Sequence, residues 1–339
     1  MKHFTSIRKI YTHFIDSLEG LSLLDQSESN DDLALRAAWL HYVGGMTQAE
    51  VAAHLGVSNV KAHRLVAQAN QSGAIKVTID GDISKCAALE VSLTEVFGLD
   101  LCHVAPDLNE DGLPLRTLGV AGARFFQHEI QRHAGRVIGV GHGRTLAAAV
   151  RALPRMGSSD VQFVSLLGGV TRNFAANPHD VMYRLADRTG ATAYVMPVPL
   201  FANSAADRGV LLAQRGVRDV LDLAISSDLK IVGIGTTQHD AQLITSQLIG
   251  SGELEVVRRS GGVGELLGHF FDHAGQPLKT MLSDRTVSPD LSALKGRRIV
   301  AIAGGAEKVN AIRSVLRSGH LSGLITDEAT ARVLMKEGV

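Results

Sequence analysis

The sequence predicts an α/β protein of two domains, a small N-terminal helix-turn-helix domain and a large Rossmann-like domain built on a parallel sheet. Three observations predict it. At 339 residues the chain is too long for one ordinary core, so about two domains are expected. Hydrophobic residues make up 45% of it, aromatic residues only 4%, and 35 are glycine, the profile of strand-turn-helix architecture. From about Lys85 onward, short apolar runs end in glycine-rich turns and continue into helical segments. Strands buried on both faces of a parallel sheet have this continuous apolar character. The expected division is 1–32 leader or linker, 33–82 helix-turn-helix, and 85–339 large domain.

The leader closes in the polar run Asp25-Gln-Ser-Glu-Ser-Asn-Asp-Asp32. A helix then runs from Leu33 to Tyr42 and stops at Gly44-Gly45. Thr47 with Glu50 three residues later forms a capping box for a second helix that ends at Gly56. Ser58 is the natural N-cap of a third helix reaching about Ser72, with Gly73 as its stop and a short strand over Ile75–Ile79 behind it. The large domain supplies four glycine turns, at residues 137–145, 163–169, 231–237 and 299–308, and a fifth strand-to-helix turn at Leu324-Ile-Thr-Asp327. Ligands of such sheets bind outside the carboxyl ends of the strands.

Thirty-four Lys and Arg balance thirty-four Asp and Glu, so no global field drives the chain onto nucleic acid or anionic lipid, and any DNA contact is local. The two cysteines, Cys86 and Cys102, lack ligand or redox spacing and read as buried free thiols. Lys2, Arg8 and Lys9 are followed by His13, Asp16 and Glu19, which leaves no signal-peptide apolar core, and no run reaches membrane-spanning length; a cytoplasmic protein without membrane contact is expected. Gly139 and Gly141 begin a dinucleotide fingerprint, but Arg144 stands where its third glycine is needed, and no Gly-Lys-Ser/Thr P-loop occurs, so no nucleotide cofactor is expected. His269 and His273 beside Asp272 would share one face of a helix, yet no third ligand is spaced to join them, and they read as ordinary histidines rather than metal ligands.

Between Met46 and Ala69, Val51, Leu55, Val57, Ala62, Leu65 and Val66 fall at spacings that let two helices share a small core across a turn at Gly56. With Ala62, Leu65, Val66 and Ala69 turned inward, Lys61, His63, Arg64 and Gln68 point away. Ser58 and Asn59, early on the third helix, would lie nearest the groove floor, and Thr47 and Gln48 open the helix before it. This predicts binding to a double-stranded DNA operator. A helical hairpin used only for packing is the alternative. One recognition helix reads few base pairs, so paired modules of a homo-oligomer, a dimer or tetramer, on a palindromic site are expected.

These segments resemble a known family. Leu35-Arg-Ala-Ala-Trp-Leu-His-Tyr-Val43, Thr47-Gln-Ala-Glu-Val-Ala53 and Leu55-Gly-Val-Ser58 through Arg64-Leu65 are similar to the N-terminal module of SorC-type sugar-binding transcriptional regulators. Gly141-His-Gly-Arg-Thr145, Leu166-Leu-Gly-Gly-Val170, Gly261-Gly-Val-Gly-Glu265 with Phe270-Phe-Asp272, Ala303-Gly-Gly305 with Lys308 and Ala311-Ile312, and Ile325-Thr-Asp-Glu328 recur in that family in the same order. The resemblance covers Leu33 to the end. It implies a winged or wing-like helix-turn-helix, an effector domain of the sugar-phosphate isomerase/deaminase type, homo-oligomers, and control of a carbohydrate catabolic operon. Lys61 and His63 stand where the family often has Thr and Ser, and the leader lies outside its pattern.

Glycine at the end of a buried strand lets backbone approach a ligand, and the next helix offers free N–H groups that favour anions or hydroxyls. In Gly141-His-Gly-Arg-Thr145, Gly141 and Gly143 would shape the turn, Arg144 pair with a charged group and Thr145 present a hydroxyl; a plain strand-to-helix connection capped by Thr145 is the alternative. Gly168, Gly169, Gly235, Gly304 and Gly305 mark the corresponding turns. The resemblance places Glu265 and Lys308 at the ligand; otherwise they read as a surface ion pair of small weight. The function expected is a regulator, in the first instance a repressor, whose DNA binding answers to a small sugar, polyol or sugar phosphate. The rival is a sugar-phosphate isomerase/deaminase-like enzyme with a helical appendage, for which no acid–base constellation is recoverable from spacing.

Overall fold

Helix α1 (Asn30–Tyr42) begins three residues earlier than its apolar pattern suggests. Asn30, Asp31 and Asp32, expected in the leader, form its first turn, where acidic side chains favour the positive end of the helix dipole. The computed structural model describes residues 30–75, 84–132, 135–157, 160–169, 181–239 and 241–336. The leader up to residue 29, the strand expected over Ile75–Ile79 and the wing it would form lie outside the described residues, save Ile75 itself, which is not in a strand.

Helices α2 (Gln48–Leu55) and α3 (Asn59–Gln71) complete the described part of the N-terminal unit. Thr47 and Glu50 form the reciprocal capping box, Gly56 closes α2 in the left-handed conformation at φ 63°, and Ser58 caps α3 by accepting from the Lys61 N–H. Ala62, Leu65, Val66 and Ala69 are buried against Val51 and Ala52 of α2 and Ala34, Ala37, Ala38 and Leu40 of α1. The chain divides into two compact units, Met1–Ile79 and Asp80–Val339.

The second unit contains α4 (Ser84–Phe97), β1 (Leu101–Ala105), α5 (Leu115–Arg132), β2 (Val137–Val140), α6 (Arg144–Ala152), β3 (Gln162–Ser165), α7 (Val181–Thr189), β4 (Thr192–Tyr194), α8 (Ala205–Ala213) and α9 (Arg215–Ser226). It continues with β5 (Leu229–Val232), β6 (Gly235–Thr236), α10 (Gln242–Thr245), α11 (Ser251–Arg259), β7 (Gly262–Leu266), β8 (His269–Asp272), α12 (Leu291–Leu294), β9 (Ile299–Ile302), α13 (Val309–Arg317), β10 (Gly323–Asp327) and α14 (Glu328–Lys336). Seven strands form one sheet in the order β1-β10-β9-β5-β2-β3-β4, every neighbouring pair parallel. The smaller sheet β6-β7-β8 is antiparallel.

Central strands β5, β9 and β10 are buried along their whole length, as a sheet covered on both faces requires. The two faces carry separate cores: Val300 and Ile302 join Leu229 and Ile231 on one side, while Ile299 and Ala301 join Val232 on the other. Lys230, which the sequence reading did not single out, is fully buried on β5. Its ammonium donates to the carbonyls of Ile225 at 3.1 Å and Ser227 at 2.9 Å, binding the carboxyl end of α9, and burial pushes its pKa down to about 8. Cys86 is buried but Cys102 only half-buried, a correction to the expectation for the pair; desolvation pushes both thiols up. No helix among the described residues is long and apolar enough to cross a membrane.

Candidate effector crevice and DNA-binding face

Strand order reverses between β2 and β5, which are neighbours in the sheet while the chain leaves β2 toward β3 on one side and β5 toward β9 on the other. The turns after these two strands diverge, and a crevice opens at their carboxyl ends, where doubly wound sheets hold ligands. It encloses about 750 Å³ of empty space, part of it open to solvent. Six residues of the sequence-derived set line it: Gly143, Arg144, Thr145, Gly235, Glu265 and Lys308.

Gly143 caps α6 with φ 142°, outside the range of ordinary side chains, and as a glycine makes no side-chain cap hydrogen bond to the first-turn N–H groups of that helix. Those donors and the helix dipole favour an anion or hydroxyl at this end. Thr145 is buried, and its hydroxyl donates to the Ile302 carbonyl at 2.8 Å, so it locks α6 to β9 and retains only acceptor capacity. Gly235 pairs with Glu265 across β6 and β7, and a Cβ at Gly235 would stand 2.1 Å from a carboxylate oxygen of Glu265. The glycine is therefore what lets Glu265 lie over the turn.

Glu265 accepts from the Gly268 N–H at 2.5 Å. Burial nevertheless raises its pKa above the ordinary carboxylate range, against the opposing pull of that hydrogen bond and of the Lys308 charge. Lys308 arrives from the turn after β9 and donates to the Ile234 carbonyl at 2.9 Å. Two cations, Arg144 and Lys308, thus share one crevice with a carboxylate and a set of hydroxyl and amide groups. Thr236 and Gln242 belong to that set, with His142 and an apolar wall of Leu167, Leu200 and Leu267. His142, Leu167 and Thr236 lie within the glycine turns read from sequence but were not singled out there, whereas Gln242, Leu200 and Leu267 arrive on segments with no recognisable motif.

The other glycines are placed differently. Gly141 donates to the Ile231 carbonyl at 2.9 Å and fixes the start of the turn without lining the crevice. Gly168 and Gly169 lie against residues 198–200: a Cβ on Gly168 would meet the Pro199 carbonyl carbon and oxygen at 2.5 Å, and Gly169 donates to the Val198 carbonyl at 2.7 Å. Gly304 lies over Asp327, whose carboxylate accepts from Thr330, and Thr330 in turn accepts from the Gly305 N–H at 2.7 Å. These four permit close backbone packing that supports the crevice. His269 and His273 do not share a helix face: His269 is on β8, with Nε2 3.0 Å from the Pro289 carbonyl, and His273 is in the turn beyond.

On the N-terminal unit, Asn59, His63 and Arg64 are exposed on α3, opposite the buried stripe, with Lys61 half-buried beside them. Ser58 is occupied as a cap, and Thr47 is occupied by Glu50, whose carboxyl its backbone and side-chain hydrogen bonds hold below the usual range. Gln68 departs from the expected outward set. Its amide donates to Asp31 at 2.7 Å and accepts from Asn30 at 3.2 Å, so it ties α3 to α1 instead of standing beside His63 and Arg64. Gln48 is half-buried at the start of α2.

The chain matches the family model described as "Putative sugar-binding domain" over residues 81–336. It is 59% identical over 309 residues to the erythritol catabolism regulatory protein EryD of Brucella abortus (strain 2308), covering 91% of this chain and 98% of that one. It is 31% identical over 325 residues to the transcriptional regulator LsrR of Escherichia coli (strain K12), covering 94% and 99%. Its fold matches the crystal structure of the full-length sorbitol operon regulator SorC from Klebsiella pneumoniae with a TM-score of 0.68 at 26% identity, over 90% of this chain and 99% of that one. A helix-turn-helix core followed by a doubly wound domain with its crevice at the switch point, matched along nearly the whole chain, assigns it: the protein belongs to the SorC family of sugar-binding transcriptional regulators.

Proposed function

We propose that this protein is a cytoplasmic repressor of a polyol catabolic operon, and that a four-carbon polyol or its phosphate, bound in the crevice, releases it from its operator. It is a DNA-binding transcriptional regulator and not an enzyme, as its relatives are. The observation that carries the ligand reading is the crevice itself, where the uncapped α6 N-terminus, Arg144, Glu265 and Lys308 converge with Thr236 and Gln242. Hydroxyl-rich ligands need this alternation of donors and acceptors, and the two cations suit an anionic group. The similarity to an erythritol catabolism regulator supports the choice of polyol. Asn59, Lys61, His63 and Arg64 are the side chains assigned to the operator.

Control then follows from population shift. A homo-oligomer, a dimer or tetramer, presents paired α3 helices to a palindromic site, and the ligand stabilises an arrangement in which their spacing no longer matches it. The test is a gel shift on DNA from upstream of the protein's own operon, titrated with three- to five-carbon polyols, sugars and their phosphates. Release by one of them is expected; retention unchanged by all would end the ligand assignment. Lys308→Ala should leave operator affinity intact and weaken the inducer response by about tenfold or more. A normal response would remove Lys308 from the site.

A further inference from the structure

Val60 is the most exposed large apolar side chain among the described residues, at 80%. It occupies the second position of α3, directly after Asn59 and two residues beyond the Ser58 cap. His63 and Arg64, three and four residues on, share its outward face, and both are exposed. The module's core, Ala62, Leu65, Val66 and Ala69, occupies the other side of the helix. A β-branched residue is disfavoured at an exposed helical position, so nothing in the stability of α3 rewards a valine there. Val60 contributes a bare isopropyl group to a face otherwise made of hydrogen-bonding side chains.

Early residues of a recognition helix reach base edges in the major groove. Those edges present one apolar feature, the C5-methyl group of thymine; the other positions are donors and acceptors. We propose that Val60 is a specificity-determining residue that packs against a thymine methyl in each operator half-site, beside the contacts made by Asn59 and Arg64. The inference rests on the reading of α3 as the operator-binding helix.

The experiment uses the full chain and a duplex bounded by footprinting on DNA upstream of its own operon. Each thymine is replaced in turn by uracil, which deletes the methyl and leaves base pairing unchanged. Wild-type protein should lose about fourfold in affinity, the worth of burying one methyl, at one thymine per half-site. Val60→Ala, which removes the contact in both half-sites at once, should lose about the square of that factor, about sixteenfold, on the unmodified duplex and show no further loss at that uracil. Val60→Thr, which keeps the branched shape, should retain the uracil sensitivity, and circular dichroism confirms that each variant folds. Equal losses for Val60→Ala and wild type at every uracil, or Val60→Ala binding as tightly as wild type, would overturn the proposal. A changed sedimentation coefficient with an unchanged uracil profile would overturn it too, by showing that Val60 faces a protein surface. Absence of any footprint would remove the DNA reading and this inference together.

Discussion

The two units of this protein build their candidate sites by opposite routes. In α1–α3 the side chains proposed for the operator are whatever the core leaves over: Ala62, Leu65, Val66 and Ala69 turn inward and Asn59, Val60, His63 and Arg64 are what remains outside. In the second unit the site is assembled at strand ends from residues far apart in sequence, Arg144 beside Gly235, Glu265 and Lys308. A surface site made by exclusion tolerates change in its outward residues but depends on a thin core. A crevice made by convergence depends on backbone closeness that only glycine permits.

The comparison breaks most visibly in the small core. Six of the ten hydrophobic residues buried there are alanine, so Leu65 supplies a large share of its volume. Leu65→Ala is expected to cost about 3 kcal/mol, a large fraction of what so small a unit has. Operator binding should vanish while the thermal transition of the effector domain stays in place; calorimetry on the full chain checks this, and a shift of both transitions would show the units to be energetically joined. Gly168→Ala is next, at about 2 kcal/mol, since the new methyl would meet Pro199 backbone at 2.5 Å and no flexible side chain can yield. It should lower only the effector-domain transition.

The smallest effect concerns Glu265, whose pKa burial raises above the ordinary carboxylate range. At low pH the folded and unfolded chains both hold the proton and burial costs no charge. As pH rises through the ordinary range the unfolded carboxyl ionises first, so stability falls toward the raised native value. Glu265→Gln cannot ionise. Its stability relative to wild type should therefore improve between about pH 4 and about pH 7.5 in denaturant melts. A difference that is the same at both pH values would mean that the carboxylate stays charged and compensated in the crevice.

Local chemistry made much of this legible in the sequence. The capping box of Thr47 and Glu50, the left-handed Gly56 and the Ser58 cap involve residues three or four apart, so pattern alone placed α2 and α3. The apolar runs of β2, β3, β5, β9 and β10 were legible because a doubly covered strand needs no alternation. The antiparallel sheet of β6, β7 and β8 was not, for its glycines and short strands carry no period; the histidines at 269 and 273 were placed on a helix for that reason. Gln68 misled because its helical phase is outward while its amide bonds lie across to Asn30 and Asp31, contacts that no spacing rule contains. Gly304 and Gly305 looked like ligand turns, and only the chain closure through Asp327 and Thr330 shows what they approach.

The pairing of β1 with β10 carries a consequence for biosynthesis. β1 stands at the sheet edge, and its ladder partner comes from the far end of the chain, Leu101 opposite Gly323 and Ala105 opposite Asp327. During translation every other strand of the sheet emerges before that neighbour does, so β1 waits through the synthesis of the whole sheet for its partner. The strand made first must therefore keep its one ladder edge unpaired until the strand made seventh arrives beside it.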